Sequence, residues 1–174
     1  RVLAHRVIRR PFLRLEILRR LLARHLLEPL VVIRGRLRLL RTVHRLLLVD
    51  DEPMLLNSLC ELLKGRGFHL VTASTGSEAI RLLSKSKFDL TLLDLRLPDY
   101  SGHEIMDFIN ANGVDTKVIV LSGDTGIDAA IGALKRGAYD YLRKPHTREE
   151  LLTTVDNALK QRQMENEIIS IAKG

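Results

Sequence analysis

Three carboxylates, one hydroxyl and one amine stand where short apolar runs end. Asp50 and Asp51 follow residues 46–49, Asp94 follows 90–93, Ser122 follows 118–121, and Lys144 lies just beyond 138–142. The stretch FDLTLLDLRLPDYSG, from Phe88 to Gly102, is the most informative of these. Its apolar run suits a strand buried on both faces, and Pro98, Asp99 and Gly102 mark a loop after it. Clustered acids repel one another and call for a cation. A small hard ion such as Mg²⁺, held by carboxylates, a carbonyl and water, fits that donor set. A lysine and a metal neutralise phosphoryl oxygens, a hydroxyl holds another, and a carboxylate can attack to give an aspartyl phosphate. One polar residue at a strand end is an ordinary cap, whereas four coordinated strand ends make a site.

These residues reach one place only if the elements carrying them are neighbours. Pro53 opens a helix with Leu55, Leu59, Leu62 and Leu63 at helical spacing, closed by Gly65 and Gly67. A strand over 68–71 follows, then a helix carrying Ala79, Ile80 and Leu83. Ile105, Phe108 and Ile109 mark the next helix, and Ile127, Ala130, Ile131 and Leu134 the one after the fourth strand. Residues 138–142 alternate like an edge strand, which puts Tyr139 and Tyr141 on one face. The last helix starts near Thr147, with Glu150 completing a capping box. Its apolar seam of Leu152, Val155 and Leu159 continues as Arg162, so the core contact is expected to end near Leu159. Five strands alternating with five helices predict an α/β fold, a doubly wound parallel sheet. In the order 2-1-3-4-5, the four equipped strands are neighbours about 4.8 Å apart and their ends face one crevice.

The net charge of +7 belongs to one segment. Residues 1–45 hold 13 Arg, no Lys and two acids, a balance of +11, while the rest carries 15 basic and 19 acidic residues, a balance of −4. No direct nucleic-acid binding is therefore expected of residues 45–160. Residues 1–44 read as an Arg-rich extension, an upstream remnant or appended piece with no function of its own. A basic segment lying on an anionic membrane or on nucleic acid is the competing reading. Within it, 30–33 could be a strand, and 36–39 alternates. One cysteine, Cys60, excludes an internal disulfide, and no apolar run is long enough to span a bilayer.

Residues 45–160 resemble the receiver domain of two-component response regulators, through LLLVDDEP, LLDLRLPDYSG, VIVLSGD and YDYLRKP in that order and spacing. The resemblance implies a flavodoxin-like receiver fold with Asp94 as phospho-acceptor. It implies Asp51 and Asp94 as Mg²⁺ ligands, Asp50 helping through water, and the Arg96 backbone carbonyl completing the set. Ser122 and Lys144 would bind phosphoryl oxygens, Lys144-Pro145 would be a cis peptide, and Ser122 with Tyr141 would form the switch. The implied phosphate donor is a sensor histidine kinase or a phosphotransfer protein, in the cytoplasm. The implied outputs are a homodimer through the fourth helix, fifth strand and fifth helix, and a downstream output domain in the parent protein. Residues 161–174 resemble a helical linker. Beyond self-phosphotransfer and autodephosphorylation no enzyme activity is implied.

Arg96 and Asp124 are expected either to pair over the site and slow the attacking water or to stand as solvated loop charges, since exposed pairs contribute little. Of the competing classes, an aspartate-nucleophile phosphatase would carry a second Asp where Arg96 stands. A phosphorylation-independent interaction domain would not need Asp51, Asp94 and Lys144 intact. His103-Glu104 lacks the second His of a zinc-protease motif.

Overall fold

The computed structural model describes residues 30–33, 36–39, 43–124 and 126–173. The chain divides into two units, Arg1–Thr42 and Val43–Gly174. In the first, β1 (Leu30–Ile33) and β2 (Arg36–Leu39) pair antiparallel, with Leu30 opposite Leu39 and Ile33 opposite Arg36. Both segments are strands, as their patterns suggested. The readings offered for residues 1–29 lie outside the described residues.

The second unit is one parallel sheet with helices on both faces. Its strands are β3 (Arg45–Val49), β4 (His69–Ala73), β5 (Leu90–Asp94), β6 (Lys117–Ser122) and β7 (Asp140–Arg143). Between them run α1 (Pro53–Lys64), α2 (Gly76–Lys85), α3 (Gly102–Ala111) and α4 (Ile127–Lys135), and α5 (Arg148–Ala172) follows. The order is β4-β3-β5-β6-β7, which is 2-1-3-4-5 counted within this sheet. The switch of direction beside β3 opens the crevice that such sheets use for ligands.

Alternate residues of the central strands feed two cores. Leu47, Val49, Leu93 and Val120 pack with α2, α3 and α4, and Leu46, Leu48, Leu92 and Ile119 pack with α1 and α5. Burial on both faces is why these strands read as unbroken apolar runs. The helix over α4 is correctly marked by its spacing, yet Ile127, Ile131 and Leu134 lie exposed and only Ala133 is buried.

Tyr139 and Tyr141 do not share a face. Tyr139 packs against the α1–α5 core and Tyr141 against the other. The ladder begins at Asp140, paired with Ile119, so Tyr139 precedes the alternation that would have aligned the two rings.

The seam of α5 does not stop at Leu159. Arg162 is 8% exposed. Its Nε donates to Asp89 at 3.1 Å, and Nη1 and Nη2 donate to the two Asp115 carboxylate oxygens at 2.7 and 3.0 Å. Asp89 also accepts from the Arg45 amide at 2.8 Å and lies beside His44. Burial pushes the Asp89 carboxyl up, but the neighbouring His44 and the hydrogen bonds from Arg45 and Arg162 outweigh it and bring it down to about 2. A carboxyl depressed on folding stabilises the native state above its unfolded pKa and loses that effect as pH falls toward 2. Arg162→Ala should therefore cost about 2 kcal/mol at pH 7, and the deficit should shrink as pH falls from 4 toward 2. Urea unfolding across that range checks it; equal stabilities at pH 7 would show the contact to be idle.

Candidate phosphoryl-transfer site

Each functional side chain is delivered by the end of a strand. Asp50 directly follows β3, and its amide donates to the Ala73 carbonyl at 3.1 Å, extending the ladder by one residue. Asp94 is the last residue of β5 and Ser122 the last of β6. Register sets Asp94 beside Leu121 and Ser122 beside Arg143, so Lys144 emerges one residue past the end of β7. The Lys144 amide donates to the Ser122 carbonyl at 2.8 Å, which fixes where the lysine side chain starts. The Lys144–Pro145 peptide is cis.

Lys144 Nζ donates to Asp50 Oδ2 at 2.6 Å and to Asp94 Oδ2 at 2.9 Å. Both acids are nearly enclosed, with Asp50 at 1% and Asp94 at 7% exposure. Their other oxygens are occupied too: Asp50 Oδ1 accepts from the Glu52 amide at 2.9 Å, and Asp94 Oδ1 from the Arg96 amide at 3.1 Å. Burial pushes the Asp50 carboxyl up against the hydrogen bond from Lys144. Burial pulls the Lys144 ammonium down, and its hydrogen bonds to Asp50 and Asp94 more than reverse that. Lys144 is thus held charged between two acids.

One lysine does not balance three carboxylates. Asp51 is exposed, and one oxygen from each of Asp50, Asp51 and Asp94 lies within 4.8 Å of the others. That spacing and an all-oxygen donor set fit a hard divalent cation such as Mg²⁺. These four residues, expected together, are brought together, and Ser122 stands fully buried on the neighbouring strand.

On the far side of Ser122, its Oγ accepts from the Asp124 amide at 3.1 Å. Tyr141 is half-buried, and its hydroxyl donates to the Asp124 carbonyl at 3.1 Å. The loop after β6 thus connects the buried hydroxyl to the aromatic ring. The expected pairing of Arg96 with Asp124 is not formed among the described residues. Asp124 Oδ1 is engaged by the Gly126 amide at 2.8 Å instead. The Arg96 guanidinium lies against Gly123, where an added Cβ would meet it at 3.3 Å. A turn-forming aspartate satisfied by its own backbone has no reason to reach for an exposed arginine.

The response regulator receiver domain family matches residues 46–156. The cell cycle response regulator CtrA of Brucella ovis is 36% identical over 111 residues, covering 64% of this chain and 48% of that protein. The chain therefore spans about half the length of the curated relatives it matches. The beryllofluoride-activated NtrC4 receiver domain dimer is similar at 38% identity and a TM-score of 0.64, covering 68% of this chain and 98% of that one. The response regulator TrrA of Thermotoga maritima, in complex with Mg²⁺ and BeF, is similar at 30% identity and a TM-score of 0.61, covering 67% and 99%.

Proposed function

The chain belongs to the response regulator receiver domain family, and we propose that Asp94 is the residue on which its signal is written. The observation that carries this is the pair of contacts from Lys144 Nζ, 2.6 Å to Asp50 and 2.9 Å to Asp94, at the mouth of a buried strand. An Asp94 oxygen attacks the phosphorus of a phosphohistidine on a sensor kinase or phosphotransfer protein. The P–N bond breaks, its electron pair stays on the imidazole, which takes up a proton, and an acyl phosphate remains on Asp94. Lys144 exchanges its bond to Asp94 for one to a phosphoryl oxygen, and the Ser122 hydroxyl donates to another. Mg²⁺, held by Asp51, Asp94 and the Arg96 carbonyl with Asp50 helping through water, would supply the remaining neutralising charge.

The new dianion biases a packing change. Drawing Ser122 toward the phosphoryl group pulls on the Asp124 amide that it accepts from, and so on the carbonyl that holds Tyr141. Tyr141 then turns inward, and the face formed by α4, β7 and α5 changes shape. That face already exposes Ile127, Ile131 and Leu134, which suits a homodimer or a downstream output domain. We assign residues 45–160 to the receiver, 161–174 to a helical extension or linker whose first turn still docks on it through Arg162, and 1–44 to an Arg-rich upstream remnant or appended piece. No described helix is long and apolar enough to cross a membrane, and a cytoplasmic site of action follows from the kinase partner.

Incubation with acetyl phosphate and Mg²⁺ should add one phosphoryl group, removed by hydroxylamine, visible by intact-mass spectrometry. A chain that gains nothing would sink the reading. Tyr141→Ala should take up phosphate at a rate within about twofold of the parent yet lose phosphorylation-dependent dimerisation in sedimentation. A variant that still dimerises on phosphorylation would remove Tyr141 from the switch.

A further inference from the structure

The loop between β5 and α3 is fastened at both ends of its span. At its base Arg96 and Ser101 form an antiparallel bridge, and the Gly102 amide donates to the Leu95 carbonyl at 2.8 Å. Gly102 has no room for a side chain, because a Cβ there would lie 2.6 Å from the Asp94 carbonyl oxygen. At its tip Asp99 reaches across to a different helix. Asp99 Oδ1 accepts from the Gly76 amide at 2.7 Å and Oδ2 from the Ser77 amide at 2.9 Å, with the Ser77 hydroxyl donating to Oδ2 as well. Oδ1 also accepts from the Tyr100 amide at 3.0 Å. The Ser77 hydroxyl and amide hold the Asp99 carboxyl down at about 2.

The contact is close as well as polar. A Cβ on Gly76 would stand 2.6 Å from Tyr100 Cβ, so the loop rests directly on the first turn of α2. The first turn of a helix presents unsatisfied amides that a carboxylate completes. Here α2 receives that carboxylate from the acceptor loop, in addition to its own Thr75 cap.

We propose that Asp99 is a positioning residue for the metal site: by pinning residues 96–101 to α2, it holds the Arg96 carbonyl where the cation would take it as a ligand. This rests on the assignment of that carbonyl as a ligand under the proposed function. A carbonyl ligand carries no side chain to adjust its aim, so its placement depends on what restrains the peptide on either side. The Arg96–Ser101 bridge restrains one direction, and Asp99 restrains the other.

The test is Mg²⁺ titration of the full chain, followed by calorimetry, for the parent, Asp99→Ala, Asp99→Asn and Gly76→Ala. Asp99→Ala should bind Mg²⁺ about tenfold more weakly. In acetyl phosphate labelling it should need correspondingly more Mg²⁺, while its rate at saturating Mg²⁺ stays within about twofold of the parent. Asp99→Asn keeps an acceptor for the Gly76 amide and should recover part of the affinity. Gly76→Ala keeps the Asp99 carboxylate but drives Tyr100 and the loop away from α2, and should weaken Mg²⁺ binding in the same direction. In metal-free protein, amide exchange should accelerate at residues 96–101 in both Asp99→Ala and Gly76→Ala. Parent-like Mg²⁺ affinity in Asp99→Ala overturns the proposal, as does a reduced maximal rate with an unchanged Mg²⁺ midpoint. A parent chain that binds no Mg²⁺ overturns the metal assignment and this proposal together, whereas an effect confined to the variants' exchange overturns this proposal alone.

Discussion

Asp94→Asn should take up no phosphoryl group from acetyl phosphate and Mg²⁺ under conditions expected to label the parent, a loss on the order of 10³-fold or more in labelling rate. The amide has nearly the shape of the carboxylate but no anionic oxygen to attack phosphorus. Asp94 lies 7% exposed with Oδ1 on the Arg96 amide and Oδ2 on Lys144, and an asparagine can keep its oxygen on one of these donors. It also relieves one of three clustered negative charges. The variant should hence unfold within about 1 kcal/mol of the parent, which separates lost chemistry from lost fold. Intact-mass spectrometry beside a urea melt reads both. Labelling of Asp94→Asn at the parent rate would move the acceptor elsewhere, and the neighbouring Asp51 would be the next residue to replace.

Lys144→Met should damage both stability and chemistry. It leaves the carboxylates of Asp50 and Asp94 enclosed with no ammonium between them. Breaking a buried pair from one side costs about 3 kcal/mol in metal-free buffer. Mg²⁺ should restore part of this, because a cation that binds only the folded chain stabilises it by mass action. The deficit should also depend on pH in a defined direction. Burial already raises Asp50, and removal of Lys144 takes away the hydrogen bond that opposes burial. A carboxyl raised on folding favours the native state below its unfolded pKa and loses that advantage as pH rises through its folded pKa. The variant's deficit is therefore largest at pH 7 to 8 and smallest near pH 4. Phosphorylation at saturating Mg²⁺ should fall by about 10²-fold, the usual cost of one aimed charge at a developing anion. Urea melts with EDTA or Mg²⁺ at both pH values supply the check. A deficit indifferent to Mg²⁺ and to pH would mean that Lys144 acts through packing alone.

Much of this site is legible in the sequence. Asp50, Asp94 and Ser122 could be placed because a parallel strand buried on both faces is an unbroken apolar run, and the residue that ends the run is conspicuous. Lys144 followed from its place just beyond the run at 138–142. What stayed hidden depends on contacts between residues distant in sequence. Arg162 looked like the end of an apolar seam because its partners Asp89 and Asp115 stand 73 and 47 positions away. Asp99 was readable only as a turn residue, since nothing local points from it to Gly76 and Ser77. Tyr139 was put on the wrong face because periodicity does not mark where a ladder starts. The pairing expected between Arg96 and Asp124 failed for the opposite reason. A local backbone contact, Gly126 to Asp124, satisfied the acid before any distant charge could.

Asp89 accepts from the amide that begins β3, lies beside His44, and takes the guanidinium of Arg162 as α5 departs. The incoming and outgoing backbone of the receiver are thus knotted to a single anionic post. A unit whose two leads share one corner can be spliced into the loop of a host protein with little stretching of either lead. Any torsion applied to the departing helix would be felt through Asp89 at the first residue of β3.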